Sequence, residues 1–146
     1  VMDTLPQFGA LVTNGQEELA SLAYLITMRW VSANSDIIGK IGEYYETRLL
    51  ELAAQHTQFI SAIEGRRHLA GIYFHELEPA KAFARYLNSA GLDISVQTYK
   101  AGCPPSALTK LPLIAGFEVV DLIESKMQLA LKGMKNQTAR SARHEE

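Results

Sequence analysis

Cysteine is nearly missing from this chain: Cys103 is the single one among 146 residues. One thiol excludes a disulfide framework and a cysteine-based zinc site. A reducing compartment is the simplest expectation, so the chain is read as cytoplasmic. An excess of one charge is missing too. Lys and Arg number 14 against 16 Asp and Glu, a formal net charge of −2. Dedicated nucleic-acid binders are usually clearly basic. That class is therefore disfavoured, unless charge is segregated by face. No hydrophobic run is long. The most apolar, Leu19 to Val31, contains Arg29 and is too short to span a bilayer. It reads as a buried core helix. The opening VMDTLPQFGALVTNG has no basic n-region of a signal peptide. The glycines form neither GxGxxG nor a Walker loop, and GxSxG is absent. No nucleotide or other cofactor is expected.

What is present is enough apolar material for one core. Hydrophobic residues make up 47% of the chain, which suffices without disulfides. Residues 9–13 are a candidate short strand. Asn14 and Glu17 have capping-box spacing, and a first helix should run from about Gly15 to Ala33. The longest pattern follows. Ile38, Ile41, Tyr45, Leu49, Leu52, His56, Phe59 and Ile63 recur at steps of three or four residues, one stripe of an α-helix. With Asn34, Ser35 or Asp36 as cap and Gly65 as C′ residue, the helix would have about 28 residues and be roughly 42 Å long. That is longer than a compact domain of this size covers, so the stripe is expected to be an interface.

After Gly65 the pattern changes. Residues 69–75 are aromatic-rich and read as a strand. Glu78-Pro79 starts a helix with Phe83, Tyr86, Leu87 and Ala90 on its face, ended by Gly91. Ile94 to Tyr99 alternates as a strand does. This strand–helix–strand succession predicts a parallel pair with a right-handed crossover. Ala101 to Ser106 is a loop. Ser106 or Thr109 would cap a last helix, with Pro112 in its first turn, Leu113, Phe117, Val120, Met127 and Leu131 inward, and an end at Gly133. Residues 1–135 form the expected domain and residues 136–146 a flexible polar tail.

Candidate chemistry is sparse. His75, Glu76 and Glu78 are the densest ligand-type cluster, at a strand end where α/β sheets place sites. HELE lacks the second histidine that a zincin needs, so these are weak metal candidates, and a solvated strand end with Glu76 and Glu78 near the next helix N-terminus is the preferred reading. Arg66 and Arg67, with Arg85, could bind an anion; as cations after a helix C-terminus the first two have a structural role. His56 within an apolar stripe is either a half-buried hydrogen-bonded ring or a pH-sensitive one. Residues 79–102 have the length of a helix-turn-helix, but Gln97 and Lys100 stand where apolar residues are needed.

The expectation is therefore an α+β fold, long helices packed around a small sheet with one parallel strand–helix–strand unit. The function expected is a non-enzymatic interaction or regulatory protein whose partner is itself, as a homo-oligomer, or another protein. A DNA-binding regulator using residues 79–102 or the basic tail is one alternative. A metal-assisted hydrolase using His75 and Glu78 is the other.

Overall fold

A computed structural model describes residues 18–97 and 102–142, with side chains to Asn136. The candidate strand at 9–13 and the Asn14/Glu17 cap lie outside the described residues. Eight elements follow one another: α1 (Glu18–Ala33), α2 (Ser35–Gln55), β1 (Ile60–Arg66), β2 (Leu69–Phe74), α3 (Leu77–Ser89), β3 (Val96–Gln97), β4 (Ser106–Lys110) and α4 (Phe117–Ala142). The chain divides into two compact units, residues 1–35 and residues 36–146.

In the first unit, α1 has no buried residue. Leu19 is 77% exposed and Met28 70%, so the expectation of a core helix does not hold within this chain. The helix closes on Asn34, whose backbone N–H reaches the Trp30 and Val31 carbonyls while its side-chain amide donates to Trp30 O at 2.8 Å.

The second unit is a four-stranded sheet of order β1-β2-β4-β3, with every adjacent pair antiparallel. The mixed α+β class is as expected. The parallel strand–helix–strand unit is not: β4 inserts between β2 and β3, so those strands never pair. The sequence pattern missed β4 because Pro104, Pro105 and Pro112 flank it, and prolines on both sides read as loop and helix start.

The long helix also requires correction. It ends at Gln55, and the amides of Phe59 and Ile60 turn back onto His56 O. Of the remainder of the stripe, His56 and Phe59 lie in the connecting turn and Ile63 in β1. There a register irregularity between Ile60 and Ala62 lets Ile60 pair with Phe74 and Ile63 with Ile72. A bulge adds one residue to one strand, so two inward side chains lie three apart in sequence, as they would on a helix. The helical spacing of Phe59 and Ile63 with α2 thus continues by coincidence into a bulged strand.

Packing is one-sided. Ile41, Tyr45, Leu49 and Leu52 of α2, Phe83 and Leu87 of α3, and Val120, Met127 and Leu131 of α4 form one core with Ala70, Ile72, Phe74 and Ala107 of the sheet. Thr109 is buried in the same layer and donates to Ala70 O at 3.0 Å. Polar contacts set α2 alongside α4: Tyr44 Oη donates to Asp121 at 2.6 Å, Arg48 reaches Glu124 at 3.2 Å, and His56 Nε2 meets Gln128 Oε1 at 2.9 Å. The last helix begins at Phe117 rather than near Ser106, leaves Leu113 40% exposed, and runs through Gly133 to Ala142.

Candidate functional site on the open face of the sheet

Because helices cover one side of the sheet, strand alternation dictates what the other side carries. In β2, Ala70, Ile72 and Phe74 point into the core, so Leu69, Gly71 and Tyr73 point away. The pairing register extends this into three rows. Arg66, Leu69 and Lys110 form the first row, and Glu64, Gly71 and Leu108 the second. Ala62, Tyr73, Ser106 and Gln97 form the third. Rows on one face of a strand are about 7 Å apart and neighbouring strands about 4.8 Å.

On this face lies a recess of about 680 Å³, lined by Glu64, Leu69, Gly71, Tyr73, Gln97 and Leu108 with Cys103, Pro104 and Ser106 at its side. Gly71 makes room for its neighbour. A Cβ there would stand 3.1 Å from Cε2 of Tyr73, whose ring occupies the space a side chain would fill. The Glu64 carboxylate acts on the Tyr73 hydroxyl as a hydrogen-bond acceptor would and, more weakly, through its charge. Together these effects push the phenol above its ordinary pKa, so the hydroxyl stays protonated. Among the described residues, Glu64 is also the only charged one lining the recess.

A two-residue turn holds the β1–β2 hairpin against α2. Arg67 adopts φ of 53°, a left-handed conformation uncommon for a non-glycine residue. Its N–H donates to Glu46 at 3.0 Å and its guanidinium to Glu43 at 2.9 Å. Gly42 admits the turn, since a Cβ there would lie 2.7 Å from the His68 ring.

The residues singled out from sequence are scattered by the fold. Ile38, Ile41, Tyr45, Leu49, Leu52, Phe59 and His56 are buried within the chain, Leu52 completely, and Ile63 is half-buried. Tyr45, Leu49 and Leu52 therefore offer no exposed apolar surface. Arg66 ends β1, Arg67 is ion-paired to Glu43, and Arg85 lies on α3, so the three do not converge. Arg66 and Arg67 occupy a hairpin rather than a helix end. His75 Nε2 meets Thr57 O at 3.0 Å and Glu78 pairs with Lys81 at 2.9 Å. Among the described residues no group of three His, Cys, Asp or Glu could hold a metal ion. The arrangement expected of a metal-assisted hydrolase is not formed there. The second helix of a helix-turn-helix is not formed either: residues 92–95 are irregular and Val96–Gln97 is a strand. Glu64, Gly71, Tyr73 and Leu108 escaped sequence reading. The alternation of residues 69–74 pointed to Gly71 and Tyr73; Glu64 and Leu108 needed strands β1 and β4.

No family model and no curated protein matches the sequence. Solved structures do match the fold. A lysine aminotransferase from M. tuberculosis superposes with a TM-score of 0.62 at 17% identity, covering 73% of this chain and 24% of that one. A phospholyase from Arthrobacter, in complex with phosphoethanolamine, gives 0.64 at 19% identity over 74% and 27%. A transaminase from the marine bacterium Virgibacillus gives 0.65 at 15% identity over 82% and 28%. The chain spans about a quarter of the length of these proteins. At such identity the likeness is one of fold. That fold, found within aminotransferases and transaminases, corrects the expectation of a non-enzymatic regulatory or interaction protein. No described helix is long and apolar enough to cross a membrane.

Proposed function

We propose that this chain is the smaller, cofactor-free part of an enzyme of the aminotransferase type. The open face of its sheet then walls the space in which an amine substrate lies. The observation that carries this reading is the fold likeness to about a quarter of each such enzyme. The recess on the open face supports it, because α2, α3 and α4 pack against the far side of the sheet.

Amino-group transfer relies on pyridoxal phosphate, an electron sink joined to a lysine. A lysine in that role loses its proton through burial or a neighbouring cation. The described lysines do not fit. Lys40, Lys110, Lys132 and Lys135 are exposed. Lys81 is half-buried and paired with Glu78, and Lys126 donates to the Ala90 carbonyl. None of them lines the recess. This part of the enzyme therefore contributes a wall: it excludes water, orients a substrate and sets the charge beside it.

The test uses the native protein. An antibody against residues 36–142 would precipitate it from source cells, followed by borohydride reduction and peptide mass analysis. The expected result is a pyridoxyl-lysine outside the described residues, together with amine-to-keto-acid transfer by the precipitate. Absence of both, or a pyridoxyl group on one of the described lysines, would overturn the proposal.

A further inference from the structure

The charge of the open face is unevenly placed. Arg66 and Lys110 stand in the first row, on either side of Leu69. Neither lines the recess. One row further on, Glu64 faces Gly71, and the Tyr73 ring lies over that glycine. The remaining lining is apolar or neutral: Leu69, Leu108, Pro104, Gln97, Ser106 and the Cys103 thiol. Among the described residues, an anion placed in the recess would meet a carboxylate and no cation. An organic cation would meet a carboxylate, an aromatic ring and apolar walls.

We infer that Glu64 and Tyr73 form a recognition site for an ammonium group carried on a short apolar chain. Carboxylate and ring attract a cation by different means, the first by a charge-assisted hydrogen bond and the second through the negative face of its π system. Leu69 and Leu108 take the methylene chain. Arg66 and Lys110, about 7 Å away along the strands, repel the ammonium from that end and so bias it toward Glu64. The inference rests on the aminotransferase reading only for the ligand's being a substrate. On that reading, the pair selects substrates whose far end is an ammonium over those ending in a carboxylate or phosphate. No electrons or bonds change at this site; it binds and orients.

Nuclear magnetic resonance titration of the 146-residue chain tests this directly. The probes are pentylammonium, pentyl phosphate, valerate and 1-pentanol, at matched concentrations and low salt. Pentylammonium should move the amide signals of Glu64, Gly71 and Tyr73 and bind more tightly than the other three. Glu64→Gln should weaken it about threefold to fivefold, the size expected for a partly exposed charge pair. Tyr73→Phe should keep most of the binding, because the ring remains, and Tyr73→Leu should lose it. All three variants change side chains outside the core, and their backbone spectra report that they stay folded. Binding of valerate or pentyl phosphate as tight as that of pentylammonium would overturn the inference, as would a Glu64→Gln chain that binds pentylammonium unchanged. Because the assay needs no cofactor, its outcome is independent of the pyridoxyl-lysine search.

Discussion

Gly42 and Gly39 are three residues apart on α2 and have opposite surroundings. A methyl at Gly42 would press on the His68 ring at 2.7 Å and on Arg67 Cβ at 2.8 Å. A methyl at Gly39 would meet only the tip of Arg67, at 3.9 Å. Overpacking costs about 1–3 kcal/mol, whereas replacing a helical glycine with alanine gains up to about 1 kcal/mol. Gly42→Ala should therefore lower stability in urea unfolding and Gly39→Ala should raise it. Equal effects would mean that the hairpin does not seat on α2. His68 adds a pH dependence at this joint. Burial, and then the Arg67 cation, lower its pKa from the ordinary 6.5. The facing carboxylates, Glu43 and Glu46, are engaged by Arg67, and His68 Nε2 is buried without a partner. The fold thus favours the neutral ring. Its stabilising effect is complete above about 6.5 and is lost as pH falls from there through the lower folded value. Urea midpoints measured between pH 7.5 and 5 should drop more for the wild-type chain than for His68→Gln. Parallel curves would show that the ring titrates freely.

At the scale of elements, legibility depended on local chemistry. The structure has β2 at 69–74 and α3 at 77–89, near the expected limits. Gly91, at φ of 82°, follows α3 as its C-terminal glycine should. Each of these elements carries its own period and its own punctuation. The first five positions of the long stripe held because they lie on α2. The rest failed because a turn at His56–Phe59 and then a bulged strand at Ile63 keep helical spacing, and only pairing with β2 reveals the difference. Within α2 the phase of the stripe makes a sharp prediction. Leu52 is 0% exposed and Leu50 is 52% exposed. Leu52→Ala should cost about 2–5 kcal/mol by urea unfolding, while Leu50→Ala should stay within about 0.5 kcal/mol. Similar losses at both positions would show that the helix is rotated from the phase described here.

At the scale of the molecule, the near-neutral composition hid a local arrangement. A net charge of −2 says nothing about where charge lies. Sheet register places Arg66 and Lys110 in one row and Glu64 in the next. Glu64 and Arg66 share β1, while Lys110 comes from β4, more than forty positions further along the chain. The stripe expected to be an interface is consumed by the core, while among the described residues large apolar side chains are exposed on α1, at Ile114 and on α4. The interaction protein expected from the stripe gives way to a fold found within aminotransferases, a likeness that no spacing within 146 residues encodes, because it is one of topology at under a fifth identity.

The sequence by itself determined the inward face of α2, the α+β class and the turn glycine after α3. Those depend on side-chain period and backbone preference, which act over a few residues. Tertiary structure alone decided that β4 enters between β2 and β3, that the sheet is antiparallel, and that Glu64, Tyr73 and Leu108 share an open face. Strand pairing joins residues by hydrogen bonds across tens of positions, and its register assigns every side chain to one side of the sheet or the other. A local pattern carries no record of which distant strand will supply the partner.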